Sequence, residues 1–142
     1  MAGSDAYRVH TRTVGGGPTA LGWAGPHTLV ADRPASAGGA GRGFSGGQLL
    51  YLAIAACISN DLYREAAARG VTLSEVSVTV DGDFPARGEP STPIEVRLTV
   101  VGDASQAELA DLIDEVDRIA EIPNSIRGAT PVTIVERRIE GR

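Results

Sequence analysis

The chain is short of the side chains that carry most covalent and metal chemistry. Cys57 is the one cysteine among 142 residues, so no disulfide can form within the chain and no cysteine-based zinc site can be built from it. Histidine occurs twice, as His10 and His27, and aromatic residues make up only 4%. Lysine is missing altogether. All 13 basic residues are arginine against 18 acidic ones, which reads as a coding-composition bias. The resulting net charge of -5 repels a phosphate backbone, so nucleic acid is not an expected partner. Long hydrophobic runs are also missing: Leu49 to Ile58 is the longest, well short of the ~20 residues that span a bilayer. Met1 to Asp5 shows no basic stretch leading into an apolar one, so no signal peptide is expected. A free thiol without an export signal points to the cytoplasm.

What remains is ordinary globular composition, 42% hydrophobic and 22% charged, at a length that suits one domain over residues 1–142. Asp5 to Val14 alternates, with Tyr7 and Val9 on one face and Arg8, His10 and Arg12 on the other, which predicts a half-buried strand. Gly15-Gly16-Gly17-Pro18 and Gly25-Pro26 are turn signals. They separate this strand from one starting at Leu21 and one over His27 to Asp32, and the three read as an antiparallel meander. Ala35 to Gly47 is rich in glycine, alanine and serine and reads as a flexible loop.

Ser45-x-x-Gln48 has capping-box spacing and opens a helix. Leu49 to Ile58 is apolar on every side of that helix, so burial all round is expected. From Asn60 on it turns amphipathic, with Asp61, Arg64, Glu65 and Arg69 assigned to solvent, and Gly70 supplies a stop. A small chain has little to cover such a helix with, so a second subunit is expected. Val76, Val78 and Val80 mark one further strand, and Ile94, Val96, Leu98 and Val100 another. Ser105-x-x-Glu108 is a second capping box, followed by the helical stripe Leu109, Leu112, Ile113, Val116 and Ile119. Pro123 ends or kinks that helix, and Pro131 to Ile139 reads as a closing strand. The predicted order is β-β-β-α-β-β-α-β, an α+β pattern with one long, buried central helix.

Cys57 is the only soft nucleophile. Its position in the apolar run favours a buried structural residue, since cysteine is among the most buried types, and reactivity needs a nearby cation or helix terminus together with access. Gly41-Arg42-Gly43-Phe44-Ser45-Gly46 spells G-x-G-x-x-G, but a dinucleotide site needs a parallel βαβ unit and the elements here read as antiparallel. Arg42 and the amides near Gly46 could still attract an anion. His10 and His27 read as solvent-facing strand residues, because neither metal-ligand spacing nor a nucleophile elbow accompanies them. Asp111, Asp114, Glu115 and Asp117 read as the solvated face of a helix.

The stretch Ser45 to Cys57, S-G-G-Q-L-L-Y-L-A-I-A-A-C, resembles the central-helix motif of the OsmC/Ohr family, roughly S-P-x-E-L-L-L-A-A-L-A-A-C. Ala120 to Ser125, A-E-I-P-N-S, is similar to the family's second motif, A-x-x-C-P-x-S, and the element order agrees over most of the chain. The resemblance implies an OsmC-like α+β fold in an intertwined homodimer, and thiol-dependent reduction of organic hydroperoxides in the response to oxidative stress. In that chemistry one cysteine attacks the peroxide and a second resolves the sulfenic acid, while an arginine and a glutamate hold the first as thiolate. Cys57 matches the peroxidatic cysteine. Ile122 occupies the resolving position and has no thiol. The glutamate falls at Gly47 or Gln48, and the arginine falls in the turn Gly15-Gly16-Gly17. Gln48, Arg12 and Arg42 are the candidate substitutes.

The resemblance therefore implies a divergent member with weak or lost peroxidase activity, at most a one-cysteine enzyme served by an external thiol reductant. The alternative is a non-catalytic dimer that binds a small apolar or anionic ligand or is purely structural. No cofactor or metal is expected in either case.

Overall fold

The computed structural model describes residues 7–140. Five strands and three helices follow in order: β1 (His10–Thr13), β2 (Ala20–Ala24), β3 (His27–Ala31), α1 (Gly46–Ala68), β4 (Leu73–Asp81), β5 (Glu95–Gly102), α2 (Gln106–Ile119) and α3 (Glu121–Arg127). The fold is mixed α+β, as expected. Two compact units divide it. One runs up to Ala53 and includes Asp81–Glu95, and the other comprises Ile54–Val80 and the chain from Val96 onward.

In the first unit β1, β2 and β3 form the expected antiparallel meander, with His10 opposite Trp23 and Leu21 opposite Val30. The expected half-buried first strand is not found. β1 begins only at His10, all its residues are exposed, and Tyr7 and Val9 are exposed as well; Asp5 and Ala6, the start of the predicted strand, lie outside the described residues. An edge strand with nothing laid over it buries neither face, whatever its alternation.

The glycine-rich segment after β3 is pinned, which corrects the expectation of a flexible loop. Its anchor is Asp32, a buried carboxylate that accepts from Thr19 Oγ1 at 2.8 Å and from the backbone N–H groups of Arg33 (2.7 Å), Arg42 (3.1 Å) and Ala40 (3.4 Å). Phe44 bridges to Ala31 in parallel register. The glycines serve close approach here: a Cβ on Gly43 would collide with the carbonyl of Val30, and one on Gly39 with the carbonyl of Arg33.

α1 opens on the predicted capping box. Ser45 N–H donates to Gln48 Oε1 at 2.9 Å and Gln48 N–H to Ser45 Oγ at 3.2 Å. Gly70, with φ +70°, supplies the left-handed residue after the helix. Ile54, Ile58, Leu62 and Ala66, each four residues from the last, are the buried stripe of its second half. The remainder departs from the all-round burial expected, because Leu50 and Leu52 stay exposed, the latter at 47%. One chain covers one side of this helix only.

In the second unit β4 and β5 form a two-stranded sheet. Asp103 N–H donates to the Thr72 carbonyl and Ser74 Oγ to that of Val101, so the start of β4 lies beside the end of β5. α2 carries the second capping box in full, and Leu112 and Val116 of its stripe are buried. The helix breaks at Ala120, whose extended backbone ends α2 and begins α3. Pro123 explains the break: its ring would meet the Ile119 carbonyl in a continuous helix, whereas in the first turn of a new one it needs no N–H partner. The predicted closing strand over Pro131 to Ile139 is not formed. Val132, Ile134, Val135 and Ile139 are all exposed, since a strand requires a sheet edge to pair with and none within the described residues is beside it. The order therefore ends in α-α in place of α-β.

Two consequences are measurable. Leu62 is wholly buried, so Leu62→Ala is expected to cost about 2–5 kcal/mol in urea denaturation, while Leu52→Ala costs far less to the chain's own folding; equal losses would place the core elsewhere. For Asp32, burial acts to raise the pKa, but the hydrogen bonds from Thr19, Arg42, Arg33 and Ala40 together outweigh it and hold the group below the ordinary carboxylate value. A depressed folded pKa contributes stability above the unfolded value of about 3.9 that is lost as pH falls through the folded one. Melting temperatures followed downward from neutral pH should therefore drop more steeply in the native chain than in Asp32→Asn, which lacks this titration; parallel curves would count against the anchor.

Candidate functional site

Cys57 sits in the second half of α1, in the second unit, and is half-buried. Helical geometry brings residues four apart onto one face, and one turn on from Cys57 that residue is Asp61. The thiol donates to Asp61 Oδ2 over a long 3.9 Å contact. The sequence pattern assigns Asp61 to solvent, but it is buried, with 5% exposure. Its other oxygen, Oδ1, takes Arg64 Nη1 at 3.0 Å, which supplies the counter-charge that a buried carboxylate requires.

Arg64 leans outward and also binds Glu65 through Nε at 3.1 Å. The hydrogen bond to Glu65 first, then the charge of Asp61 and, more weakly, of Glu121, raises its pKa further. Glu121, the first residue of α3, completes the group: the ligand-type atoms of Cys57, Asp61 and Glu121 all lie within 4.8 Å of one another. The break at Ala120 begins α3 at Glu121, and the same turn carries Ile122, which is partly exposed. The second motif thus does reach the neighbourhood of the thiol, but it delivers a carboxylate there.

The other candidates named from the sequence are Gln48, Arg12 and Arg42. Gln48 is occupied by its cap, with Oε1 on the Ser45 amide. Arg12 lies on β1 opposite Leu21, and Arg42 is exposed, with its amide held by Asp32. All three belong to the first unit, whereas Cys57, Asp61, Arg64 and Glu121 belong to the second. The G-x-G-x-x-G loop opens no parallel βαβ unit. Of its amides, that of Arg42 donates to a carboxylate of the chain's own, Asp32. His10 stacks on Trp23 at 5.9 Å, and both histidines are exposed as expected.

Asp61, Arg64 and Glu121 are what sequence reasoning missed. The Cys57/Asp61 spacing of four and the Asp61/Arg64 spacing of three are legible signals on a helix. Glu121 carries no such signal, because it arrives from another element.

Chemically, the arrangement offers a partly accessible thiol, a buried carboxylate in contact with it, and a guanidinium that fixes that carboxylate. A thiolate formed here faces two carboxylates, and the guanidinium nearest to them is already shared between Asp61 and Glu65. One sulfur and two oxygen donors could also approach a metal ion, but Asp61 is turned toward Arg64, and every buried side-chain polar atom among the described residues has a partner.

Among the described residues no helix is long and apolar enough to cross a membrane. No curated protein sequence matches the chain significantly. Solved structures do. An OsmC-like protein of Mycoplasma pneumoniae matches with 19% identity and a TM-score of 0.73, covering 87% of this chain and 89% of that one. An organic hydroperoxide resistance protein OsmC of Legionella pneumophila gives 21% identity and a TM-score of 0.64, covering 86% and 90%. An organic hydroperoxide resistance protein of Elizabethkingia anophelis gives 19% and 0.60, covering 86% and 89%. At these identities the likeness is one of fold. The sequence model of the family described as OsmC-like protein matches residues 38–135, from the pinned loop through the central helix and both later helices, and the chain belongs to that family.

Proposed function

We propose that this protein is a one-cysteine, thiol-dependent reductant of organic hydroperoxides, slow by comparison with two-cysteine chemistry, in which Cys57 is the redox centre. The observation that carries this reading is the placement of the only thiol: Cys57 is half-buried, not sealed, and stands in a group of charged side chains from two elements. The names of the hydroperoxide resistance proteins that share the fold support the same chemistry and a role in oxidative stress. With no second cysteine in the sequence, the sulfenic acid can be cleared only by an external thiol, and otherwise oxidises further.

The working form in this reading is a homodimer in the cytoplasm, each chain a single OsmC-like domain. Leu29, Phe44, Leu50, Leu52 and Phe84, all in the first unit, keep more than a third of their surface exposed, and a second copy is the partner that would cover them. A second reading, a non-catalytic dimer that holds a small ligand, draws on the missing resolving thiol. The carboxylates of Asp61 and Glu121 repel an anion, so an apolar ligand suits it better.

Intact mass after timed exposure to cumene hydroperoxide tests the first reading, with Cys57→Ser as control. One added oxygen, gained faster than by a free thiol and removed by dithiol, is expected; oxidation no faster than a free thiol, or seen only after unfolding, overturns it in favour of the second. The dimer is tested separately by sedimentation. Leu52→Glu should shift the protein to folded monomers, and a native chain that sediments as a monomer at all concentrations would remove the dimer from either reading.

A further inference from the structure

The attack of a thiol on a hydroperoxide leaves an alkoxide that must gain a proton, and the family's expected arginine and glutamate are not at their positions to manage it. We propose that Asp61 carries the Cys57 thiol proton to that alkoxide, and that Arg64 is the positioning residue that aims its carboxylate. The proposal rests on the one-cysteine peroxidase reading and names the groups that would run its proton step.

The bonds balance as follows. Cys57 Sγ attacks the distal oxygen of ROOH, an S–O bond forms and the O–O bond breaks. Sulfur gives up two electrons and the hydroperoxide takes them. The thiol proton passes to Asp61 Oδ2 and from there to RO⁻, so that Cys57–SH and ROOH become Cys57–SOH and ROH with no proton drawn from elsewhere.

Three observations carry it. The two oxygens of Asp61 have separate partners: Oδ1 is held by Arg64 Nη1 at 3.0 Å, and Oδ2 accepts from Cys57 Sγ at 3.9 Å. A carboxylate fixed on one side presents the other to the sulfur in a constant orientation, which is what a proton acceptor in a reaction needs. Asp61 is also buried, so bulk water does not readily take its place. Glu121 differs on both counts, since it is exposed and comes from another helix. The charged groups recorded around the thiol and its acceptor are Arg64 and Glu65 on α1 and Glu121 on α3.

The test compares two reactions of the same sulfur. Both reactions shed the thiol proton, but only reduction of cumene hydroperoxide needs one delivered to its leaving group, since alkylation by iodoacetamide releases iodide. Asp61→Asn is expected to slow the hydroperoxide reaction by roughly 100-fold and to change alkylation far less. Arg64 is half-exposed, so Arg64→Gln keeps the question open to test if Asp61→Asn does not fold. It should slow the hydroperoxide reaction alone, with recovery in Arg64→Lys. Equal slowing of both reactions in these variants, or an unchanged hydroperoxide rate, overturns the proposal and leaves the peroxidase reading intact. A native chain that reacts with hydroperoxide no faster than a free thiol overturns both.

Discussion

A helix whose first half is apolar on all sides must be covered on all sides, and this small chain covers one. That constraint runs through the rest of the structure. The stripe Ile54, Ile58, Leu62 and Ala66 is closed off from water, and with Leu112, Val116 and Ala120 it makes the buried core of the second unit. Earlier on the same helix Leu50 and Leu52 stand open, and in the first unit the fully buried residues are small or polar, chiefly Thr19, Ala20 and Asp32. Apolar area left in water contributes nothing to stability, at roughly 25 cal/mol per Å² forgone. The exposed chain between Val132 and Ile139 has the same character: apolar, extended and unpaired.

Where large side chains give little cover, polar anchoring holds the first unit's loop in place. Asp32 gathers four donors, three of them backbone amides, and two of these, Ala40 and Arg42, lie in the glycine-rich segment. A carboxylate that accepts several such bonds costs little to bury, because each amide replaces a water with fixed geometry. The same logic governs Asp61, except that its partners are an arginine and a thiol. One buried aspartate holds a loop closed, and the other stands beside the one thiol in the chain.

The family model that matches this chain runs through both the central helix that carries Cys57 and the helix break that brings Glu121 to it. The second motif still brings a turn of helix to Cys57, as the break at Ala120 requires. Glu121, in the turn that follows Ala120, sets a negative charge beside the chain's one thiol. With one cysteine in the sequence, no disulfide can form within the chain.

Local patterns in the sequence determined much of this: the meander and its turns, both capping boxes, the glycine stop of α1, the stripe of α2 and the central-helix motif that carries Cys57. Each depends on neighbours within a few residues, where backbone geometry alone decides which side chains meet. The tertiary structure decided what depends on distant segments. It buried Asp61, which the helical pattern alone assigns to solvent, and brought Glu121 to Cys57 across more than sixty residues of sequence. It also turned a glycine-rich stretch into an anchored loop through Asp32, and left Pro131 to Ile139 without a strand to join. Burial and pairing are properties of what lies opposite a residue, and a sequence read along its own length does not say what that will be.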